Sequence, residues 1–348
     1  MLVEIKHNCN IRSHSGGSIA LAAGDQPITV NFEWGSVQLA RLDTFENKQG
    51  IVAGLIGLSR WKEQLPLISL TVLGALVAFS VHDIRLDWRL LLVMVANFLT
   101  VTFAFMINDI EDAADDAKNP HSAKRNPVAN GTLDIRTAWA ACVVVVVTAL
   151  ILYAIGGWIV LVVGGVNLLL SFLYSWRPVR LKSSTIGLDI VSHTLMLGGL
   201  LPLAGYFIYS TEFHPAIVMM VLACTLGSTY GQLYNQLRDY ETDKKVGIVN
   251  VSIRLGERLT WVAAYGAIVL TLLCGWQAFH YMDYPSWLVW VIAGSVIGGF
   301  GYVWFFAQEI DAGGKPALDW TGRLQLGVWF ALTISISIWV VWAMGYIP

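Results

Sequence analysis

Residues 90–116 read LLLVMVANFLTVTFAFMINDIEDAADD. Positions 90–108 carry no charge, and five acids follow at once: Asp109, Glu111, Asp112, Asp115 and Asp116. About 20 apolar residues are what a helix needs to cross a bilayer. The acids therefore stand where a spanning helix leaves the hydrocarbon.

The same kind of apolar run recurs on either side. Candidate spans lie at 65–82, 90–107, 138–155, 158–175, 187–208, 216–236, 260–279, 287–307 and 322–346. This predicts an all-α, polytopic membrane bundle of about nine transmembrane helices around a central cavity, with Gly156-Gly157 turning one helix back on the next. Composition agrees: 56% of the 348 residues are hydrophobic and 13% are charged. That is half the charge of a water-soluble domain, which excludes an ordinary soluble enzyme and a disordered chain. A formal charge of −2 gives no reason to expect nucleic acid as a partner. Cys9, Cys142, Cys224 and Cys274 are scattered, so no disulfide framework or zinc site is expected. The first residues have no apolar core behind their basic positions, so no cleavable signal is expected.

Placing the N-terminus in the cytoplasm assigns 20 of the 22 Lys and Arg residues to that side, leaving Arg85 and Arg89 opposite. This is the positive-inside pattern. It orients the acidic loops toward the cytoplasm, in an integral multi-pass protein surrounded by membrane lipid. Residues 1–62 are polar and form a cytoplasmic extension of unassigned role, with one strand expected at 28–34. Residues 63–348 form the transmembrane domain.

A second acidic stretch, Asn235-Gln-Leu-Arg-Asp239-Tyr-Glu-Thr-Asp243, matches the first. Asn108, Asp112 and Asp116 map onto Asn235, Asp239 and Asp243 with a constant offset of 127, as in a duplicated bundle carrying one polar triad twice. Residues four apart share a helix face, so each triad is expected along one face. Oxygen donors without sulfur or histidine suit a hard cation, and Mg²⁺ commonly binds one or two carboxylates together with substrate phosphate. Clustered acids repel one another unless cations stand close by. Lys124 and Arg125 follow the first triad, Arg180 and Lys182 follow the fourth span, and all four suit phosphate oxygens. A divalent-cation transporter is disfavoured, because transport sites sit near the bilayer midplane and these acids sit at span ends.

With these motifs on the page, the sequence resembles the UbiA superfamily of intramembrane prenyltransferases. The pattern NDxxDxxxD is present as Asn108, Asp109, Asp112 and Asp116, and DxxxD as Asp239 and Asp243. The similar basic loop runs from Tyr174 to Lys182. The family's Lys/Arg-Arg-Pro element appears as Lys124-Arg125-Asn126-Pro127, with Asn126 inserted. The resemblance implies Mg²⁺-dependent transfer of a prenyl group from an allylic prenyl diphosphate donor to an acceptor of unassigned identity. Asp109, Asp112, Asp116, Asp239 and Asp243 would be the catalytic, metal-holding carboxylates. Asn108, Asn235, Arg60, Lys124, Arg125, Tyr174, Arg180 and Lys182 would bind the diphosphate. A membrane terpene cyclase of the same superfamily, needing no acceptor, starts from the same ionisation and stays open. Tyr174, Tyr230, Tyr234, Phe103 and Phe105 are candidates to shield an allylic cation, with helix packing as their ordinary role. His193, close to Asp189, is a candidate to orient or deprotonate an acceptor.

Overall fold

In the computed structural model, the described residues are 10–14, 18–23, 26–31, 50–82, 84–184, 187–247, 249–283, part of 287–298, and 334–342. The chain divides into two compact units between Leu55 and Ile56.

The first unit carries a three-stranded antiparallel meander: β1 (Asn10–His14), β2 (Ser18–Ala23) and β3 (Gln26–Asn31). Arg12 pairs with Ala20, and Ala20 with Thr29. The strand expected at 28–34 is thus the end of a three-strand sheet, and positions 32–34 lie outside the described residues.

The second unit is helical. Helix α1 (Gly50–Ser59) crosses the unit boundary. It is followed by α2 (Trp61–His82), α3 (Trp88–Asp116), the short α4 (Pro120–Arg125), α5 (Ile135–Gly156) and α6 (Trp158–Ser175). A segment from Leu188 to Phe207 consists of α7 (Leu188–Thr194), a π-turn (Leu195–Gly199) and α8 (Leu200–Phe207). Then come α9 (Pro215–Arg238), α10 (Tyr240–Val246), α11 (Val251–Leu255) and α12 (Glu257–Tyr281). Six of these segments are long and apolar enough to cross a membrane, and Leu67–His82 within α2 is a shorter apolar helix. The first seven expected spans therefore each correspond to a described helix. Most of the last two falls outside the described residues, so a count of nine is not established.

Local chemistry sets the helix ends. The Asp87 carboxylate caps α3 by accepting from the Arg89 amide at 3.0 Å, and Asp134 caps α5 by accepting from the amide of Arg136 at 2.9 Å. Gly157, at φ +119°, makes the turn between α5 and α6 that an L side chain would resist.

The surface is inverted relative to a soluble protein. Helix α5 exposes Val143, Val144, Val147, Ile151 and Ile155, while α12 exposes Leu259, Val262, Val269, Leu272 and Trp276. Inside, Asn97 donates to Thr71 Oγ1 (2.7 Å) and the Leu201 carbonyl (3.1 Å), and the Tyr153 hydroxyl donates to Asn97 Oδ1 (2.7 Å). Apolar outside and hydrogen-bonded polar inside is the arrangement lipid demands, where buried polar groups hold helices together. Helices α2 and α8 come so close that a Cβ on Gly205 would stand 2.0 Å from the Thr71 carbonyl oxygen, so only glycine fits there. Pro202 follows the π-turn and has no N–H for the Gly198 carbonyl four residues earlier. Asn167 on α6 donates to the Met196 carbonyl within that turn at 3.0 Å.

Candidate active site

Helical periodicity sorts the five acids of α3 onto two faces. Asp115 points outward, half exposed, and pairs with Lys118 (3.1 Å) and Arg177 (3.3 Å). Arg177 also donates from Nε to the Glu111 carbonyl oxygen (3.0 Å) and from its amide to the Glu111 carboxylate (3.1 Å). These contacts staple the loop after α6 onto the end of α3. Asp109, Asp112 and Asp116 take the sheltered face.

On that face Asp109 is fully buried, and neither carboxylate oxygen has a well-formed hydrogen bond. Its ion-pair partner is Arg60 at 3.7 Å, whose guanidinium lies 4.4 Å from the centre of the Phe105 ring. Asp112 receives Arg180 at 2.8 Å and Lys182 at 2.6 Å, and Lys182 also donates to Asn108 Oδ1 at 2.8 Å. Arg60 and Arg180 both have left-handed backbones, at φ +48° and +41°. That conformation costs an L residue on the order of 1–2 kcal/mol, and the only other non-glycine case among the described residues is Asp283. Burial lowers the pKa of the Lys182 ammonium, and the adjacent Asp112 opposes that shift.

The residue inserted in the Lys-Arg-Asn-Pro element proves central. Asn126 is fully buried. Its amide nitrogen donates to the Asp109 carbonyl oxygen (2.7 Å) and to the Asp116 carboxylate (2.9 Å), and its side-chain oxygen accepts from the amides of Val128 (3.0 Å) and Ala129 (3.3 Å). Lys124 and Arg125, at the end of α4, are exposed, with no hydrogen bond or ion pair at either head group among the described residues.

The second triad differs from expectation in one respect. It does not lie on a single uninterrupted helix, because α9 ends at Arg238 and Asp239 sits at φ −95°, ψ 2° before α10 begins. The amides of Asp239 and Asp243 still donate to the carbonyls of Asn235 (3.2 Å) and Asp239 (2.8 Å), so the one-turn spacing survives the break. Asn235 is exposed, Asp239 pairs with Arg238 at 3.3 Å, and Asp243 accepts from Asn250 at 2.9 Å. Asn250 therefore does for the last aspartate of this triad what Asn126 does for the first.

Both triads lie at the same end of the bundle. Ser175, closing α6, donates to Asn108 at 3.4 Å, and the neighbouring Tyr174 hydroxyl is hydrogen-bonded to Gln232 on α9, one turn before Asn235. Among the described residues no three acidic, histidine or cysteine side chains converge into a ready ion cage. The donor set nonetheless suits a hard cation, with carboxylate and amide oxygens throughout and Asp109 left short of hydrogen bonds.

A sequence model of the UbiA prenyltransferase family matches residues 67–319. This chain belongs to that family. It is an integral, multi-pass membrane protein with the UbiA fold. The 1,4-dihydroxy-2-naphthoate octaprenyltransferase of Escherichia coli (strain K12) is 27% identical over 188 residues, which cover 51% of this chain and 58% of that enzyme. A UbiA homolog from Archaeoglobus fulgidus, solved bound to GPP and Mg²⁺, superposes with a TM-score of 0.62 at 18% identity, covering 84% of this chain and 98% of that one. An apo UbiA homolog from Aeropyrum pernix K1 superposes at 0.62 with 16% identity, covering 81% and 98%. At these identities the two structures speak for the fold alone.

Within this UbiA-family chain, the aromatic candidates separate. Phe105 supports Arg60. Tyr230 and Tyr234 stack on each other at 6.2 Å, and Tyr230 packs into a core with Ala264 and Ala267 of α12. Tyr174 instead faces His193, with ring centroids 5.9 Å apart. Asn126, Asn250 and Gln236 escaped the sequence reading, because asparagine and glutamine in polar loops carry no periodic signal. The one visible hint was the insertion of Asn126 into an otherwise regular element.

Proposed function

We propose that this chain transfers a prenyl group from an allylic prenyl diphosphate to a small-molecule acceptor at the cytoplasmic face of a membrane, releasing diphosphate. The observation that carries the reading is the convergence of Arg60, Arg180 and Lys182 on Asp109 and Asp112, with both arginines in left-handed backbones. Strain of this kind persists where surrounding structure holds a residue for a task. Family membership, and relatives named for octaprenyl transfer or solved with GPP and Mg²⁺, support the same chemistry.

Asp109, Asp112 and Asp116, with Asp239 and Asp243, would hold Mg²⁺, which when bound neutralises charge on the diphosphate as the allylic carbon–oxygen bond breaks. Arg180 and Lys182, which contact Asp112, would bind the phosphate oxygens. Arg60, Lys124 and Arg125 add positive charge, and Asn108, Asn235 and Tyr174 complete the donor site. Cations fixed in advance around a leaving diphosphate lower the barrier more than they stabilise bound substrate. The distribution of basic residues orients this end to the cytoplasm. Residues 1–62 form an extension outside the transferase domain at 63–348.

Asp112→Asn and Asp239→Asn should each abolish diphosphate release from a folded protein, and EDTA should silence the native enzyme until Mg²⁺ is restored. Substantial turnover in either variant, or indifference to EDTA, would overturn the assignment. A cyclic hydrocarbon formed from the donor alone would make the chain a cyclase instead.

A further inference from the structure

The second acidic stretch sits on a bend that its own sequence does not call for. From Gln232 to Val246 the chain reads QLYNQLRDYETDKKV, without glycine or proline. Sharp breaks in helices trace mostly to those residues or to a side chain that intrudes from elsewhere. Yet α9 stops at Arg238, and Asp239 takes φ −95°, ψ 2°, in the sparsely allowed region between helix and strand. The bend needs a tertiary cause.

Gln236, about one turn before the bend, is buried and bonded on both sides. Its Oε1 accepts from the amide and the hydroxyl of Ser252 on α11, each at 3.1 Å, and its Nε2 donates to Asp189 Oδ2 on α7 at 2.7 Å. Ser252 and Asp189 are buried as well, and Asp189 also accepts from its own backbone amide and that of Ile190. The chain from Gln236 to Ser252 is therefore a loop that contains α10 and both aspartates, closed at its neck by one glutamine. A second tie crosses the inside of the loop. Asn250 Nδ2 donates to Asp243 Oδ2 at 2.9 Å, while its Oδ1 caps α11 by accepting from the Ile253 amide at 3.0 Å. Two amide side chains thus join α7, α9, α10 and α11 around the second motif.

We propose that Gln236 and Asn250 are positioning residues for the second metal-holding motif. Gln236 keeps the neck of the loop shut, so that the chain bends at Asp239, and Asn250 sets the direction of the Asp243 carboxylate. The proposal rests on the Mg²⁺-dependent prenyl-transfer reading above. Neither amide needs to touch substrate. The amides of Asp239 and Asp243 already make one-turn bonds to the carbonyls of Asn235 and Asp239. Without the brace, the stretch from Gln232 to Val246 is free to run on as one straight helix, and both carboxylates leave the places they hold. Carboxylates that bind a metal are themselves held by hydrogen bonds, and losing such a partner costs about 10- to 100-fold in metal affinity.

The test uses full-length protein in detergent and reads two Mg²⁺ midpoints. One is the concentration that half-saturates the rise in unfolding temperature with a thio-diphosphate analogue of geranyl diphosphate bound. The other is the concentration for half-maximal diphosphate release from geranyl diphosphate itself. In Asn250→Ser the serine still caps α11 but is too short to reach Asp243. The metal-free unfolding temperature should therefore hold, while both midpoints rise about tenfold or more. Gln236→Glu keeps acceptors for Ser252 but sets a carboxylate against Asp189, and it should raise both midpoints likewise. Adding Asp189→Asn restores a donor–acceptor pair of reversed polarity and should bring them most of the way back. Native midpoints in Asn250→Ser, or a double variant no better than Gln236→Glu alone, would overturn the proposal. So would a fall in stability that leaves both midpoints unmoved, the mark of scaffolding alone. Should Gln236→Glu fail to fold, the Asn250→Ser comparison stays decisive. Native protein whose unfolding temperature ignores Mg²⁺ and the analogue together would instead refute the transferase reading itself.

Discussion

Asn126 offers the sharpest test of how the acidic site is held. One amide joins four groups: the Asp109 carbonyl, the Asp116 carboxylate, and the amides of Val128 and Ala129. Asn126→Ala removes all four bonds inside a fully buried position. Neutral bonds contribute about 0.5–1.5 kcal/mol net and a bond to a charged group about 1.5–3. Water entering the vacated space recovers part of the sum, leaving an expected loss of about 2–4 kcal/mol. Asn126→Asp separates the two halves of the residue. It keeps an acceptor for the Val128 and Ala129 amides but turns an oxygen toward Asp116 and the Asp109 carbonyl, where like charges repel. Thermal unfolding in detergent, followed by tryptophan fluorescence, should place both variants several degrees below the native protein. Diphosphate release should fall at least about tenfold in Asn126→Ala and further in Asn126→Asp, with more Mg²⁺ needed for half-maximal rate. An Asn126→Asp variant that outperforms Asn126→Ala in rate, or an Asn126→Ala variant with native stability, would show that the bridge to Asp116 does not organise the site.

Two further outcomes concern the left-handed arginines. Arg60→Ala leaves Asp109 as a buried carboxylate without its ion-pair partner, and such losses cost about 3–5 kcal/mol; the measurement is the unfolding temperature, and Arg60→Ala combined with Asp109→Asn should recover most of the drop. Arg180→Gly relieves a backbone at φ +41° while removing the guanidinium from Asp112, so the unfolding temperature should hold or rise while the donor KM increases about tenfold or more. A parallel fall in stability with no change in KM would assign Arg180 to scaffolding.

Activity within this fold is a matter of chemistry at particular side chains rather than of the shared bundle. UbiA-like bundles superpose at 16–18% identity, and a shared bundle leaves the acceptor unspecified.

Much of this protein was legible in the one-dimensional chain because lipid imposes a simple rule. A spanning helix must be apolar for about 20 residues, so α3, α5, α6, α9 and α12 announce themselves, and charge is allowed only where it is used. The acids of 108–116 and 235–243 stood out for that reason, and their constant offset tied them together. Tertiary structure decided what periodicity cannot carry: that the chain breaks at Asp239, that Asp112 is shared by Arg180 and Lys182 from a loop some 70 positions away, and that Asn126 and Asn250 hold the final aspartate of each triad. Those two asparagines follow their triads at different distances, 10 residues and 7, so no repeat offset links them. A hydrogen bond depends on where two side chains meet in space, and loops reach the same place by different lengths of chain.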